Sequence, residues 1–284
     1  MDNIPKILHL YWDRSPMAWL QTLTVTTFHK LNPDWEINVY LPKQNYFGKA
    51  KYIPDYTGKD YFYLLEELDY IKIISIDVQK YGIDSDIHNI LRSDIFRYNV
   101  LYDIGGVWSD FDVIWLRPIV DINSCKSVGL VPTREMGASV CRYKTIEDFH
   151  NIGILISRKG HPMYEFLIDQ TTSIQGKNQN RDFLTHQAFG VEMLNSLWPS
   201  LNDTIAQFTD VVGIPYSVFY PYSVLNLGQL YVETDLSVIS KNTLCVHWFN
   251  GHILSKNYIN DPNFMQRCCS MTELLKELGE EVPA

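Results

Sequence analysis

The sequence predicts an α/β fold: a mixed, mostly parallel sheet with flanking helices. Two observations carry that expectation. Apolar runs of strand length alternate with longer helical stretches through the first half of the chain, the pattern that strand–helix–strand units leave. No repeat, low-complexity tract or composition break divides the 284 residues, so residues 1–284 are expected to form one domain.

The elements follow in order. Lys6–Trp12 is an apolar run behind a Pro and predicts a buried strand. Trp19–Leu31 predicts a helix stopped at Asn32-Pro33, because the residue before a Pro avoids helical angles. Glu36–Leu41 predicts a second strand, and the stretch to about Gly58, rich in Lys, Tyr and Pro, a loop. A short helix over Asp60–Leu68 and a strand over Ile71–Ile76 come next. Asp86–Asp103 is the strongest helix, ended by Gly105-Gly106. Val107-Trp108, Val113–Leu116, Val128–Val131 and Ile152–Ser157 are strand candidates. Helices are expected at His161–Ile174, Thr185–Leu197 and Met271–Leu278, and short β pieces at Val211–Ile214 and Leu244–Trp248. The Tyr216–Tyr222 stretch, Y-S-V-F-Y-P-Y, is read as a strand and turn rather than an aromatic platform for a ligand.

Composition narrows the function. Lys and Arg number 24 against 33 acids, a net charge of -9, with no basic block of the kind nucleic acid needs. An acidic chain that handles a phosphate ligand needs a metal or a placed Arg. No run approaches the roughly 18 apolar residues of a membrane span, and the N-terminus lacks the layout of a signal peptide. Peripheral association with a membrane stays open. The five Cys (125, 141, 245, 268, 269) form no CxxC and fit reduced thiols, so a cytoplasmic location is expected.

Two segments carry chemistry. In I-L-R-S-D-I-F-R-Y-N-V-L-Y-D-I-G-G, the residues Ile87, Leu91, Tyr98, Leu101 and Tyr102 share a helix face, with Asp94 inside that stripe and Arg97 at its edge. A carboxylate there is either half of an i,i+3 ion pair or a group facing a cleft. The second segment is G-G-V-W-S-D-F-D, residues 105–112. In extended chain Asp110 and Asp112 point to one side and Phe111 to the other. Two carboxylates converging at a strand end suit Mg²⁺ or Mn²⁺, which in turn can clamp a diphosphate. A bare D-x-D is a weak signal; its place beyond a strand, where ligands of open α/β sheets bind, strengthens it.

Together these segments resemble glycosyltransferase family 32. The likeness rests on I-P-K-I-L-H-x-x-W at Ile4–Trp12 and on S-D-I-F-R-Y-x-x-L-Y-x-x-G-G-V-W-x-D-x-D at Ser93–Asp112. The family also shows a more distant likeness to the clostridial glucosylating toxins. A weaker echo continues through Asn151-x-Gly153, the Lys159–Pro162 turn and His247-Trp248. The resemblance implies a GT-A fold and a metal-dependent, retaining transfer from a UDP- or GDP-sugar to a glycan or other hydroxyl acceptor. It implies that Leu10 and Trp12, at the end of the first strand, contact the donor, with Trp12 stacking on the nucleobase. It also implies that Asp94 and Arg97 hold donor-sugar hydroxyls, that Asp110 lies near ribose and metal, and that Asp112 is the direct metal ligand. Asp94, Arg97 and Asp112 are the expected catalytic set, and Asn151 is placed beside the donor sugar.

Near the C-terminus, L-C-V-H-W-F-N-G-H reads as a strand running into a loop. His247 is a candidate third ligand, better suited to Mn²⁺ than to Mg²⁺, and Asn250 a candidate carbonyl ligand. Where family members often carry a Trp aimed at the leaving phosphate, this chain has His252, whose ring could donate the same bond. Lys256 is a candidate cation for the diphosphate. The absence of an anchor suits an enzyme of surface-polysaccharide synthesis working in the cytosol. Two other functions remain open on sequence: a metal-dependent nucleotidyltransferase or phosphoesterase, which would release a nucleoside monophosphate, and a non-catalytic sugar-binding module indifferent to chelators.

Overall fold

The computed structural model describes residues 4–43, 56–84, 87–122, 135–144, 148–177 and 184–283. Strands β1 (Ile7–Tyr11), β2 (Glu36–Pro42), β3 (Ile71–Ile76) and β4 (Gly106–Ser109) form one half of the main sheet, all parallel. The other half is β6 (Ala138–Lys144), β7 (Asp148–Asn151), β8 (Ile154–Ser157) and β9 (Val211–Pro215). The order is β3-β2-β1-β4-β8-β6-β7, with β9 parallel to β6. β4–β8, β8–β6 and β6–β7 are antiparallel. A small antiparallel ribbon joins β5 (Val113–Trp115) to β10 (Cys245–His247), pairing Val113 with His247. The mixed, mostly parallel core is thus as expected.

Alternation along β1 divides the core. Leu8 and Leu10 face one side, against α1 (Trp19–Leu31) through Val25 and Phe28. Tyr11 faces the other, where α3 (Asn89–Asp103) and α4 (Pro162–Lys177) pack through Ile95, Phe96, Met163 and Leu167. A third cluster gathers the first turn of α1 with the C-terminal helices α9 (Ile253–Ile259) and α10 (Ser270–Glu277). The short α2 covers Phe62–Glu66, α5 Val191–Leu197, α6 Leu201–Gln207, α7 Tyr216–Phe219 and α8 Gly228–Tyr231.

Gly105 and Gly106 make the turn from α3 into β4. Both have positive φ (76° and 109°). A Cβ on Gly106 would lie 2.5 Å from the Ile7 carbonyl oxygen, and one on Gly105 2.5 Å from the Lys159 nitrogen. Only glycine fits there.

Two expectations are corrected. Tyr216–Phe219 is one helical turn, begun by Pro215, and Tyr220 and Tyr222 are buried, so the stretch is neither strand nor exposed platform. Helix is confined to Val191–Leu197 within the expected Thr185–Leu197, because residues 186–190 form turns that end at Gly190. The sequence reading also missed β6, β7, α6 and α9. The expected strand at Val128–Val131 lies outside the described residues. Cys141, Cys245, Cys268 and Cys269 are free thiols. Among the described residues no helix is long and apolar enough to cross a membrane.

Candidate active site

The site forms where β4, the β5–β10 ribbon, α3 and the start of β8 converge. Helix α3 places Asp94 and Arg97 on its inner face, both 3% exposed. The Arg97 guanidinium lies 2.6 Å from Asp94 Oδ1 and 3.4 Å from Asp110 Oδ1. It also donates to the Ile152 carbonyl at 2.6 Å and lies over the Trp108 ring. The ion pair and the cleft group are therefore the same residues. Burial pushes the Asp94 carboxyl up to about 7 even beside Arg97.

Asp110 leaves β4 with its backbone N–H on the Gly153 carbonyl (2.8 Å) and its Oδ1 accepting from the Trp108 indole (3.0 Å). Burial, opposed by Arg97 and reinforced by Asp112, raises its pKa. Asp112 is held on the other side. Thr24 Oγ donates to the Phe111 carbonyl and accepts the Val113 N–H, so a fully buried hydroxyl of α1 brackets Asp112 along the chain. Its Oδ2 accepts the Asn250 backbone N–H at 2.8 Å, and its Oδ1 lies 3.1 Å from His247 Nε2. Burial opposes ionisation of Asp112, but His247 and the Asn250 N–H outweigh it and lower the pKa. In return, Asp112 raises His247 against the effect of burial. The imidazole is packed between Phe249 (centroids 4.4 Å apart) and the buried Tyr220 (5.2 Å).

Asp110, Asp112 and His247 each offer a ligand atom, and these atoms lie within 4.8 Å of one another. Asn250 Oδ1 is buried with no hydrogen-bond partner. Three carboxylates here face one guanidinium and one imidazole, and two oxygens and an imidazole nitrogen suit Mn²⁺ or Mg²⁺. The residues fit a divalent cation. Gly153 keeps the space open: a Cβ there would stand 2.8 Å from His247 Nε2 and 3.2 Å from Asp110 Oδ2.

A cleft of about 160 Å³ opens beside this cluster, lined by Asp94, Arg97, Asp110, Ile152, Gln187 and Gly190. Gly190 also stands against the carboxylate, since its Cβ would lie 3.1 Å from Asp94 Oδ2. The sequence reading missed Gln187, Gly190 and Thr24, and it named Gly153 only as part of the Asn151-x-Gly153 echo. Gly190 had a signal, being the residue at which a helix could start; Thr24 acts on a segment 87 residues away and had none.

The remaining candidates divide. Trp12 follows β1, is half-buried, meets Phe111 edge-on (5.3 Å) and donates its indole N–H to the Ser15 carbonyl. Leu10 does not reach the site: its side chain is fully buried in the core on the α1 side. Asn151 is half-buried at the end of β7, and the neighbouring Ile152, not Asn151, lines the cleft. His252 caps α9, its Nδ1 accepting the Leu254 N–H, which leaves the proton on Nε2 and makes that atom a donor. Lys256 lies one turn further along α9 and is half-buried.

Residues 20–128 match the sequence family described as the glycosyltransferase sugar-binding region containing the DXD motif. A search of curated protein sequences finds no match. Among solved structures, the galactosyltransferase LgtC, in complex with donor and acceptor sugar analogues, superposes with a TM-score of 0.50 at 15% identity, over 98% of this chain and 97% of that one. The PaToxG glycosyltransferase gives 0.49 at 16% identity, over 72% of this chain and 73% of that one. Mouse xyloside xylosyltransferase 1 gives 0.43 at 12%, over 87% and 98%. The likeness to LgtC shows the fold. With a DXD sugar-binding region built around Asp110 and Asp112, on a sheet of GT-A architecture, the chain is a glycosyltransferase.

Proposed function

We propose that the chain moves a sugar, with retention, from a UDP- or GDP-linked donor to a glycan or other hydroxyl acceptor, using Mn²⁺ or Mg²⁺. The observation that carries this reading is the adjacency of two sites: a three-ligand cluster within 4.8 Å and a cleft walled by Asp94 and Arg97, sharing Asp110. Asp110, Asp112 and His247 would hold the cation, with the Asn250 carbonyl oxygen beside them. A cation there supplies neutralisation of the charge that gathers on a departing diphosphate, a large contribution to such a reaction.

The chain's own groups do the rest. Asp94 accepts sugar hydroxyls and is itself held by Arg97, which fixes the carboxylate's direction. Trp12, backed by Phe111, offers a ring to the nucleobase. His252 Nε2–H and Lys256 are the donor and the cation for the diphosphate. In the transfer, the bond from the anomeric carbon to the phosphate oxygen breaks, and the acceptor oxygen bonds to that carbon from the same face. The acceptor's proton passes to the leaving phosphate oxygen. Intracellular polysaccharide synthesis is the setting that this chemistry suits.

The test is a panel of UDP- and GDP-sugars with Mn²⁺, scored for free nucleoside diphosphate. Turnover of one donor, lost with chelator and in Asp112→Asn, supports the reading. Release of nucleoside monophosphate, or full turnover by a folded Asp112→Asn, would overturn it.

A further inference from the structure

A second and larger cleft, about 550 Å³, lies away from the metal cluster, between the first turn of α1, residues 56–61 and the segment that follows α9. Its volume is in the range of ligand sites. Helix α9 runs from the loop that holds Asn250 to this cleft. Seven residues at 1.5 Å each set the two sites apart by about 10 Å along that helix.

The walls have a consistent chemistry. Tyr56, Tyr61 and Phe264 are half-buried and contribute ring surface. The Tyr61 ring lies nearly parallel to that of Tyr63 (23°, centroids 6.4 Å apart), and the Lys59 ammonium stands 5.2 Å from the one and 5.7 Å from the other. Of the amides that line the cleft, Asn260 is taken up by Thr57 and the Lys256 carbonyl, whereas Asn263 and Gln266 meet each other at 3.4 Å and keep Asn263 Nδ2 and Gln266 Oε1 for a ligand. The Asp261 carboxylate is taken up by Arg267 at 2.6 Å and by the Asn263 N–H, so it adds little free charge. Among the described residues that line the cleft, Glu281 is the other acid and Lys59 the cation. A phosphate ligand would need clustered cations, which those described residues do not supply. A purely apolar ligand would leave Asn263 Nδ2 and Gln266 Oε1 covered without a partner. Rings that stack on C–H faces, alternating with amides that both donate and accept, match a neutral polyhydroxylated ligand.

We infer that this cleft is an oligosaccharide-binding site, separate from the transfer site and independent of metal and nucleotide. Its place at the far end of α9 lets it hold a part of a glycan remote from the reacting sugar. The proposal accords with the sugar chemistry proposed above without depending on it.

Saturation-transfer NMR on the full chain, in EDTA and without nucleotide, tests it with four probes: cellohexaose, maltohexaose, mannohexaose and chitohexaose. At least one should bind saturably. Tyr61→Ala and Gln266→Ala, made separately, should each weaken it about tenfold or more with unchanged thermal unfolding. Asp112→Asn should leave the affinity as it was. Binding by none of the four, affinity that survives both cleft variants, or affinity lost in Asp112→Asn would overturn the inference. Failed donor turnover would count against the transfer reading and leave this one standing.

Discussion

Gly153→Ala separates the metal cluster from the fold. Gly153 sits where β7 passes into β8, and its φ is not in the left-handed region, so alanine meets no backbone strain there. The added Cβ lies 2.8 Å from His247 Nε2, 3.0 Å from its Cδ2 and 3.2 Å from Asp110 Oδ2. Comfortable non-bonded contact between heavy atoms begins near ~3.5 Å, so the imidazole must retreat by about 0.7 Å. It has little room to do so, packed between Tyr220 and Phe249 and anchored on a strand paired to Val113. Metal–ligand distances tolerate only about 0.2 Å. The expected result is a loss of roughly 10- to 100-fold in Mn²⁺ affinity, the range seen when ligand orientation is disturbed. Overpacking should cost about 1–3 kcal/mol of stability, leaving a folded protein. Calorimetric Mn²⁺ titration with thermal unfolding in EDTA measures both, and Gly228→Ala, whose Cβ meets nothing within 4 Å, is the control. A folded Gly153→Ala that binds Mn²⁺ within twofold of the parent refutes the reasoning.

Three further outcomes follow from the same geometry. Gly190→Ala places a Cβ 2.5 Å from Ile152 Cδ1 and 3.1 Å from Asp94 Oδ2, so the KM for donor should rise while Mn²⁺ affinity stays unchanged, as steady-state kinetics and titration will show. Arg97→Met leaves the buried Asp94 and the half-buried Asp110 without their cation and should destabilise the fold by about 3–5 kcal/mol in denaturant unfolding, with Asp94→Asn in the same chain recovering part of that. His9 is fully buried, with Nε2 donating to the Gly105 carbonyl (2.8 Å) and Nδ1 against the Tyr40 hydroxyl (3.0 Å); burial lowers its pKa from 6.5 to about 4. The folded state therefore holds His9 neutral where the unfolded chain would protonate it. That contribution is complete above pH 6.5 and is lost as pH falls from 6.5 towards 4, by up to about 3 kcal/mol. Unfolding free energies between pH 4 and 8 should show this fall, flattened in His9→Gln.

Much of the fold was legible because its signals are local. Helix α1 runs over Trp19–Leu31 as expected, since Asn32-Pro33 stops it. The double glycine after α3 marks a turn that no side chain permits. Elements with weaker local signals were lost. Helix α9 begins at His252, whose imidazole does a capping job that sequence rules assign to Ser, Thr, Asp or Asn. Residues 186–190 carry helical-looking apolar spacing but end at Gly190, which must stay bare because Ile152 and Asp94 press on it. The D-F-D segment, the Asp94–Arg97 pair and His247 were legible as chemistry, and the structure brings them together. What supports them was not legible. Thr24 brackets Asp112 by bonding to Phe111, 87 residues away, and to Val113, and the Asn250 backbone N–H reaches Asp112 from 138 residues away. Leu10 was expected to contact the donor, and the strand's alternation instead turns its side chain into the core.

The central claim is that Asp110, Asp112 and His247 grip one divalent cation beside the Asp94–Arg97 cleft. Anomalous diffraction from crystals soaked with Mn²⁺ and UDP or GDP tests it directly. A peak is expected within about 2.0–2.3 Å of a carboxylate oxygen of Asp112 and of His247 Nε2, with Asp110 and the nucleotide's diphosphate around it. A bound nucleotide whose Mn²⁺ lies elsewhere, out of reach of all three side chains, would contradict it.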